Sequence, residues 1–263
     1  MALGPLLTAF LKQTGLEGLT KWASDMIIKG ASQDEIQLLI YDQPAFKARF
    51  PAIFTRQAAN LPPISVQDYL NFEQTVYSMA HTAGMPLSQT EINDLLTNDV
   101  SAQEVDQRLQ IAVEAVNSDQ ETRQFLQDKY GPSMGQLMKF WMNPKAELPA
   151  LQHQFRTGQI GGAATRTGYG DISLAQAQRL ESTGMTGEQA ASGFSQLTQL
   201  QPLFQPFNDA EDTITTDDQI ALLTGDQGVQ QLVEQRQRNR TADFEGGGSF
   251  AQSKEGFATG TAK

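Results

Sequence analysis

Apolar residues recur along this chain at three- and four-residue spacing, the period of a helix that buries one face. Leu3, Leu6, Leu7, Phe10 and Leu11 open the pattern, and Leu16, Leu19, Trp22, Met26 and Ile27 carry it past Gly15 and Gly18. Val105, Leu109, Ala112, Val113 and Val116 repeat it after Ser101. No stretch alternates β-branched with polar residues around a two-residue turn, so no strands are predicted. Helix starts are marked by Ser or Thr followed three residues on by Glu or Gln, the spacing at which each side chain satisfies the other residue's backbone donor. Ser32 and Glu35, Ser88 and Glu91, Ser101 and Glu104, Ser118 and Glu121, Ser173 and Gln176, Thr186 and Gln189, and Thr216 and Gln219 fit it, with Ser65 and Asp68 a weaker relative. Gly30, Gly84, Gly131 and Gly184 mark stops, and Pro44, Pro51, Pro62, Pro86, Pro132, Pro144 and Pro149 fall between patterns. The prediction is an all-α fold: about ten short helices in a compact multi-helix bundle.

The pattern changes after Leu200. Pro202 and Pro206 stand four apart in Gln201–Asn208, which argues against a regular helix there. An acidic, turn-rich piece follows, then a last helix from about Asp226 to Arg240 with Val229, Leu232 and Val233 as its apolar side. Beyond it Gly246, Gly247 and Gly248 open an irregular Gly-rich C-terminal arm too poor in apolar anchors to build a core. The expected organisation is an amphipathic N-terminal segment over 1–30, a helical core over 31–200, a Pro-rich acidic linker over 201–225, and the terminal helix and arm over 226–263. The N-terminal segment reads as a core-facing helix pair, or as a segment that docks into a neighbour or a membrane interface. With only Lys12, Lys21 and Lys29 as cations, the anionic-membrane version has little support.

Charge narrows the partners. The 263-residue chain carries 19 Lys and Arg against 30 Asp and Glu, a formal net charge of −11. That is a poor footprint for a general duplex-DNA binder. Arg236–Lys263 holds five cations and three acids, so the rest of the chain carries −13. With 0 Cys, disulfides, thiolate zinc sites and cysteine nucleophiles are excluded, and 2 His exclude a His-rich metal site. No run approaches the roughly 18 apolar residues of a spanning helix. The opening Met1-Ala2-Leu3-Gly4-Pro5 lacks the basic region of a secretory signal.

Candidate chemistry is sparse. Glu181-Ser182-Thr183-Gly184-Met185 resembles the catalytic glutamate motif of lytic transglycosylases, in which a buried carboxyl protonates a glycosidic oxygen. The later parts of that pattern are absent, and a surface Glu before a helix stop is the plainer reading. Asn208, Asp209, Glu211, Asp212, Asp217 and Asp218 invite a calcium loop, but Ala210 falls where a ligand belongs and no Gly or Glu is in register. His81 and His153 each lack a second ligand nearby in sequence. Gly161-Gly162 follows no predicted strand and carries no phosphate-loop Lys, so it reads as close helix packing or a break. No catalytic residue, cofactor or metal is predicted.

What remains is docking chemistry. Arg236 and Arg240 share a helix face, set either to favour the helix dipole or to meet an acidic neighbour or packaged DNA. Phe244, Phe250 and Phe257 follow in Gly-rich sequence, as aromatic anchors do on an arm that orders on binding. With Phe10 and Trp22 of the N-terminal segment, Arg236, Arg240, Phe244 and Phe250 are the expected partner-docking residues.

Several blocks resemble structural proteins of tailed bacteriophages. They are Phe46-Lys47-Ala48-Arg49-Phe50-Pro51 with Arg56, Leu61-Pro62, Ile64–Leu70 and Glu73; Gly84-Met85-Pro86; Val100–Arg108; Tyr130-Gly131; Phe140–Pro149; and Phe244–Phe250. The resemblance spans about two-thirds of the chain and includes no catalytic signature. It implies a non-enzymatic virion component, assembled in the host cytoplasm. Such a component would line the head interior or the head–tail channel, with or without ejection alongside the genome, form a homo-oligomer and contact portal, capsid or tail proteins. A tail-tube, baseplate or tape-measure-associated protein is the alternative, and a degenerate lytic transglycosylase a remote one. The short capped helices count against a tape measure, which needs long coiled coils.

Overall fold

A computed structural model describes residues 3–131, 136–206 and 212–252. Among these the chain is all-α, with fifteen α-helices, thirteen of them seven residues or longer, and no strand. The count exceeds the expected ten because breaks fall inside stretches that read as one pattern. Phe50, at φ −124° and ψ 53°, separates two short helices that each begin with Pro.

The chain divides into two compact units, Met1–Val116 with Gln136–Leu148, and Asn117–Gly135 with Pro149–Lys263. Unit 1 begins with α1 (Pro5–Gln13), α2 (Thr20–Ile28), α3 (Gln33–Ile40), α4 (Pro44–Arg49), α5 (Pro51–Ala58), α6 (Val66–Thr82), α7 (Gln89–Thr97) and α8 (Ala102–Asn117). The chain passes to unit 2 for α9 (Gln120–Tyr130) and returns to unit 1 for α10 (Leu137–Trp141). It completes unit 2 with α11 (Leu148–Arg166), α12 (Leu174–Ser182), α13 (Gly187–Phe204), α14 (Thr216–Leu223) and α15 (Gln227–Gln252). The expected single core over 31–200 is therefore shared between two units, each with its own buried cluster.

The core of unit 1 gathers Leu7, Leu11, Ile36, Ile40, Phe46, Phe50 and Tyr69, all essentially inaccessible. Phe50 bridges Phe46 and Tyr69 with ring centroids 4.9 Å apart on each side, a geometry that adds to area burial. The N-terminal segment thus supplies core residues to unit 1. In unit 2, Phe194, Leu197, Phe204, Ile214 and Ile220 are buried together. Phe204, Ile214 and Ile220 come from the stretch expected as a linker over 201–225 and belong to that core.

Gly158, Gly161 and Gly162 lie on the buried face of α11. A Cβ on Gly162 would fall 2.5 Å from the backbone of Thr122, and one on Gly161 would fall 2.3 Å from the Phe125 ring. They let α9 approach α11 to backbone contact; of the two readings of Gly161-Gly162, the helix break is absent.

Most capping predictions coincide with starts. Ser65 with Asp68, Ser88 with Glu91, Ser173 with Gln176 and Thr186 with Gln189 form complete reciprocal boxes, and Ser32 and Ser101 cap in one direction. Two starts shift by one residue. Asp119 caps α9 in place of Ser118, and Thr215 with Asp218 caps α14 in place of Thr216 with Gln219.

Two features of the C-terminal region differ from expectation. Helix α13 continues through Pro202 to Phe204, so the stretch after Leu200 is helical for one more turn. Pro202 lies in the last turn, where the bond it forgoes is one of few, and incoming arginines take the carbonyls beyond it. Helix α15 runs to Gln252, through the glycines expected to be irregular. Residues 253–263 of the expected arm, with Phe257, lie outside the described residues.

Candidate docking cleft

Two of the blocks quoted above, Gly84-Met85-Pro86 and Phe140–Pro149, meet in unit 1. Helix α6 ends on Gly84, at φ +71°, a conformation that glycine adopts without a Cβ penalty. The amide of Met85 then donates to the Ala80 carbonyl at 2.8 Å, closing the turn and delivering Met85-Pro86-Leu87 to a cavity of about 290 Å3. The opposite wall is Met142-Asn143-Pro144, directly after α10, and α7 contributes Glu91, Asp94 and Leu95. Met85, Leu87 and Met142 are each 7 % exposed, so the cleft is apolar to its base. Thioether side chains make such a surface adaptable to what enters.

Arg108 holds the second wall. Its side chain is 1 % exposed. Nη1 donates to the carbonyls of Asn143 at 2.7 Å and Trp141 at 3.5 Å, and Nη2 to that of Ala146 at 2.6 Å. Glu104, one turn earlier, accepts from Nε at 3.0 Å and Nη2 at 2.6 Å. One buried charge thus satisfies an irregular run of backbone that no helix would satisfy. The sequence signal was legible: Arg108 falls on the stripe Val105, Ala112 and Ala115, all fully buried.

The mouth is charged. Lys139 Nζ lies 3.5 Å from Glu91 Oε1. The other Glu91 oxygen accepts from the Ser88 amide at 2.8 Å and hydroxyl at 2.7 Å. The Ser88 backbone bond, then the hydroxyl, hold the Glu91 carboxyl below its ordinary value, with Lys139 adding to the effect. An ionised carboxylate committed to a cap and a lysine suits orientation of a bound group. The cleft thus joins an apolar base to a charged rim.

Glu181 lies in unit 2, on α12. Its Oε1 accepts from Arg156 Nε at 2.8 Å and lies 2.7 Å from His153 Nδ1. This oxygen is shared between the Arg156 guanidinium and the His153 ring. His153 is thus a partner of Glu181.

The expected docking residues separate into three sets. Phe10 and Trp22 are half-buried against the core of unit 1. Arg236 is 3 % exposed. Its Nη1 donates to the carbonyls of Leu203 at 3.0 Å and Phe204 at 3.3 Å, and its Nη2 to that of Asp212. Arg240 donates to the carbonyls of Pro202 and, at 2.7 Å, Gln205. Both arginines therefore donate to carbonyls at the open C-terminus of α13, where carbonyls lack helical partners, Arg236 buried and Arg240 half-buried. Phe244 and Phe250 belong to α15 by backbone, and their side chains lie outside the described residues. The acidic run divides in the same way: the Asp218 carboxylate closes the Thr215 cap, and residues 207–211 lie outside the described residues. Reasoning from sequence did not single out Met85, Met142 and Lys139, because the cleft they line forms only when loops far apart in sequence converge.

Comparison with known protein families, curated proteins and solved structures gives no match for this chain.

Proposed function

We propose that the chain is a non-enzymatic structural protein of a tailed-phage particle, lining the head interior or head–tail channel, and that it docks to other virion proteins through the cleft of unit 1. The observation that carries this is that two of the resembling blocks, Gly84-Met85-Pro86 and Phe140–Pro149, form the walls of one apolar cleft. Gly84-Met85-Pro86 forms one wall, the loop after Trp141 forms the other, and Arg108 fixes it. These residues build a receptor surface, and the nearest carboxylate, Glu91, is tied to a cap and a lysine.

The test is detection of this chain in purified particles separated into full heads, emptied heads and isolated tails. Recovery with full heads and depletion on genome release is the expected result. Recovery in isolated tails would move it to the tail tube or baseplate, and absence from all fractions would overturn the reading. Lys139→Glu, on a side chain 75 % exposed, is expected to stay folded and to incorporate poorly. Zymography on peptidoglycan with the natural chain and Glu181→Gln addresses the enzymatic alternative, and clearing by the natural chain alone would establish it.

A further inference from the structure

A groove of about 380 Å3 runs along α6 of unit 1, and α1 and α7 contribute to its lining. Its exposed lining is built from side-chain amides. Gln67, Asn71 and Gln74 follow one another along α6 at the spacing that shares a helix face. Gln13 of α1 and Gln89 of α7 join them. Tyr77 ends the row, about 15 Å from Gln67 along the helix axis. Its ring is 53 % exposed and stacks on His81, with centroids 6.4 Å apart. Leu87 and Ile92 beneath are buried, so the surface offered to a ligand is mostly amide and phenol.

The hydrogen-bonding capacity of this lining is only partly used. Gln13 Nε2 donates to Gln67 Oε1 at 3.4 Å, and Gln67 Nε2 donates to Asn71 Oδ1 at 2.9 Å. Gln89 Nε2 donates to the Tyr69 hydroxyl at 3.2 Å. These bonds hold the amides in a row, which reduces the ordering left for a ligand to impose. They leave Asn71 Nδ2, Gln13 Oε1, Gln89 Oε1, the Tyr77 hydroxyl and both ends of Gln74 without a partner among the described residues.

Charge narrows the ligand. Among the described residues that line the groove, Glu73 alone is charged, and Arg49 neutralises it at 2.6 Å. In a chain of net charge −11, this stretch offers a counter-charge to neither an anion nor a cation. A neutral ligand rich in hydroxyls matches it. Each hydroxyl both donates and accepts, and a carboxamide presents a donor and an acceptor side by side to neighbouring hydroxyls. An exposed phenol ring packs on the C–H face of a sugar while its own hydroxyl stays polar-paired. An extended peptide would instead call for a strand edge or pockets for apolar side chains, and the described residues include no strand.

We infer that the α6 groove binds a neutral oligosaccharide laid along the helix. Its hydroxyls meet the free ends of Gln13, Asn71, Gln74 and Gln89, and one sugar ring rests on Tyr77. Sugar binding here and a place in the particle are independent, so either can fail without the other.

Isothermal titration of the full chain with three hexasaccharides is the test: maltohexaose and chitohexaose, both neutral, and hexagalacturonate, whose rings carry carboxylates. The expected result is saturable binding of a neutral hexasaccharide that is unchanged as salt is raised, with no binding of hexagalacturonate. Gln74→Ala and Tyr77→Ala, both at exposed positions of α6, each weaken binding about tenfold. Gln110→Ala, at an exposed amide of α8 outside the groove, leaves it unchanged. Circular dichroism confirms that each variant keeps its helix content. Failure of both neutral sugars to bind, hexagalacturonate binding as tightly as they do, or binding indifferent to Gln74→Ala and Tyr77→Ala would each overturn the inference.

Discussion

A buried arginine is costly to place and more costly to lose, and this chain uses several as fasteners. Arg56 donates to the carbonyls of Pro62 at 3.1 Å and Leu96 at 2.7 Å, and pairs with Asp99 at 2.7 Å. Arg49 joins the Thr14 carbonyl at 3.2 Å to Glu73 at 2.6 Å. Arg108 is the most enclosed of those in unit 1. Arg108→Ala would leave the carbonyls of Asn143 and Ala146 without their donor and Glu104 without its partner. The expected cost is about 3–5 kcal/mol, as for breaking a buried pair. The exposed Arg238→Ala should stay within about 0.5 kcal/mol. Both tryptophans, Trp22 and Trp141, belong to unit 1, so urea unfolding followed by their fluorescence reads the Arg108 effect directly. These fasteners were partly legible. Arg108 lies on an apolar stripe, and Arg236 follows Val229 and Val233 at helical spacing, which marks an inward position. What each would grip was not legible, since the carbonyls taken by Arg108 lie more than thirty residues away. The same scale governs acid sensitivity. Glu91 has a folded value below its unfolded 4.5, with the Ser88 cap as the first cause. Its contribution is complete above that pH and is lost as pH falls through the folded value. Burial works to raise Asp119, but its bonds to Thr122 and the Arg166 charge outweigh that and leave it below 3.8, with the same sign. Stability should therefore decline on acidification, and Glu91→Gln, which retains a capping acceptor, should remove its share of the pH dependence from the fluorescence-detected urea midpoint.

At the level of elements, the capping pattern and the glycine stops located most helices, because both are local chemistry. The misplacements were by one residue, where two candidate caps stand side by side. Ser118 precedes Asp119, and Thr215 precedes Thr216. In each pair the winner is the residue whose backbone is extended and whose oxygen reaches the amide three residues on. Thr215→Ala should cost unit 2 about 1 kcal/mol, the usual value of a lost cap. Thr216→Ala, at the exposed first helical position, should cost less than about 0.5 kcal/mol. Thermal unfolding followed by helix content separates the two, and equal effects would contradict the assignment. The continuation of α13 past Pro202 could not be read locally. It depends on carbonyl partners that α15 supplies from more than thirty residues away.

At the scale of the whole molecule, those partners make the end of the chain structural up to a definable point. Val233, Arg236 and Arg240 tie α15 to α13, and Val233 joins the core of unit 2. A chain ending after Arg240 keeps every one of these groups and should unfold as the full-length protein does. A chain ending after Leu232 loses them all and leaves the carbonyls of Leu203, Phe204 and Asp212 without their arginine. At about 1–3 kcal/mol for each buried group left unsatisfied, the loss approaches the 5–15 kcal/mol that stabilises an entire domain. The shorter chain should therefore lose the helix content of unit 2. Its tryptophan fluorescence, which reports unit 1, should remain native. Equal stability of the two truncations would show that the arginine clamps contribute little, while loss of both signals in the shorter one would show that unit 1 depends on unit 2 for its own fold. The division also gives a test of the proposed particle role. A chain ending after Arg240 is the form in which docking by residues 241–263 can be examined without disturbing the fold, so failure of that form to enter particles would assign a partner contact to the segment itself.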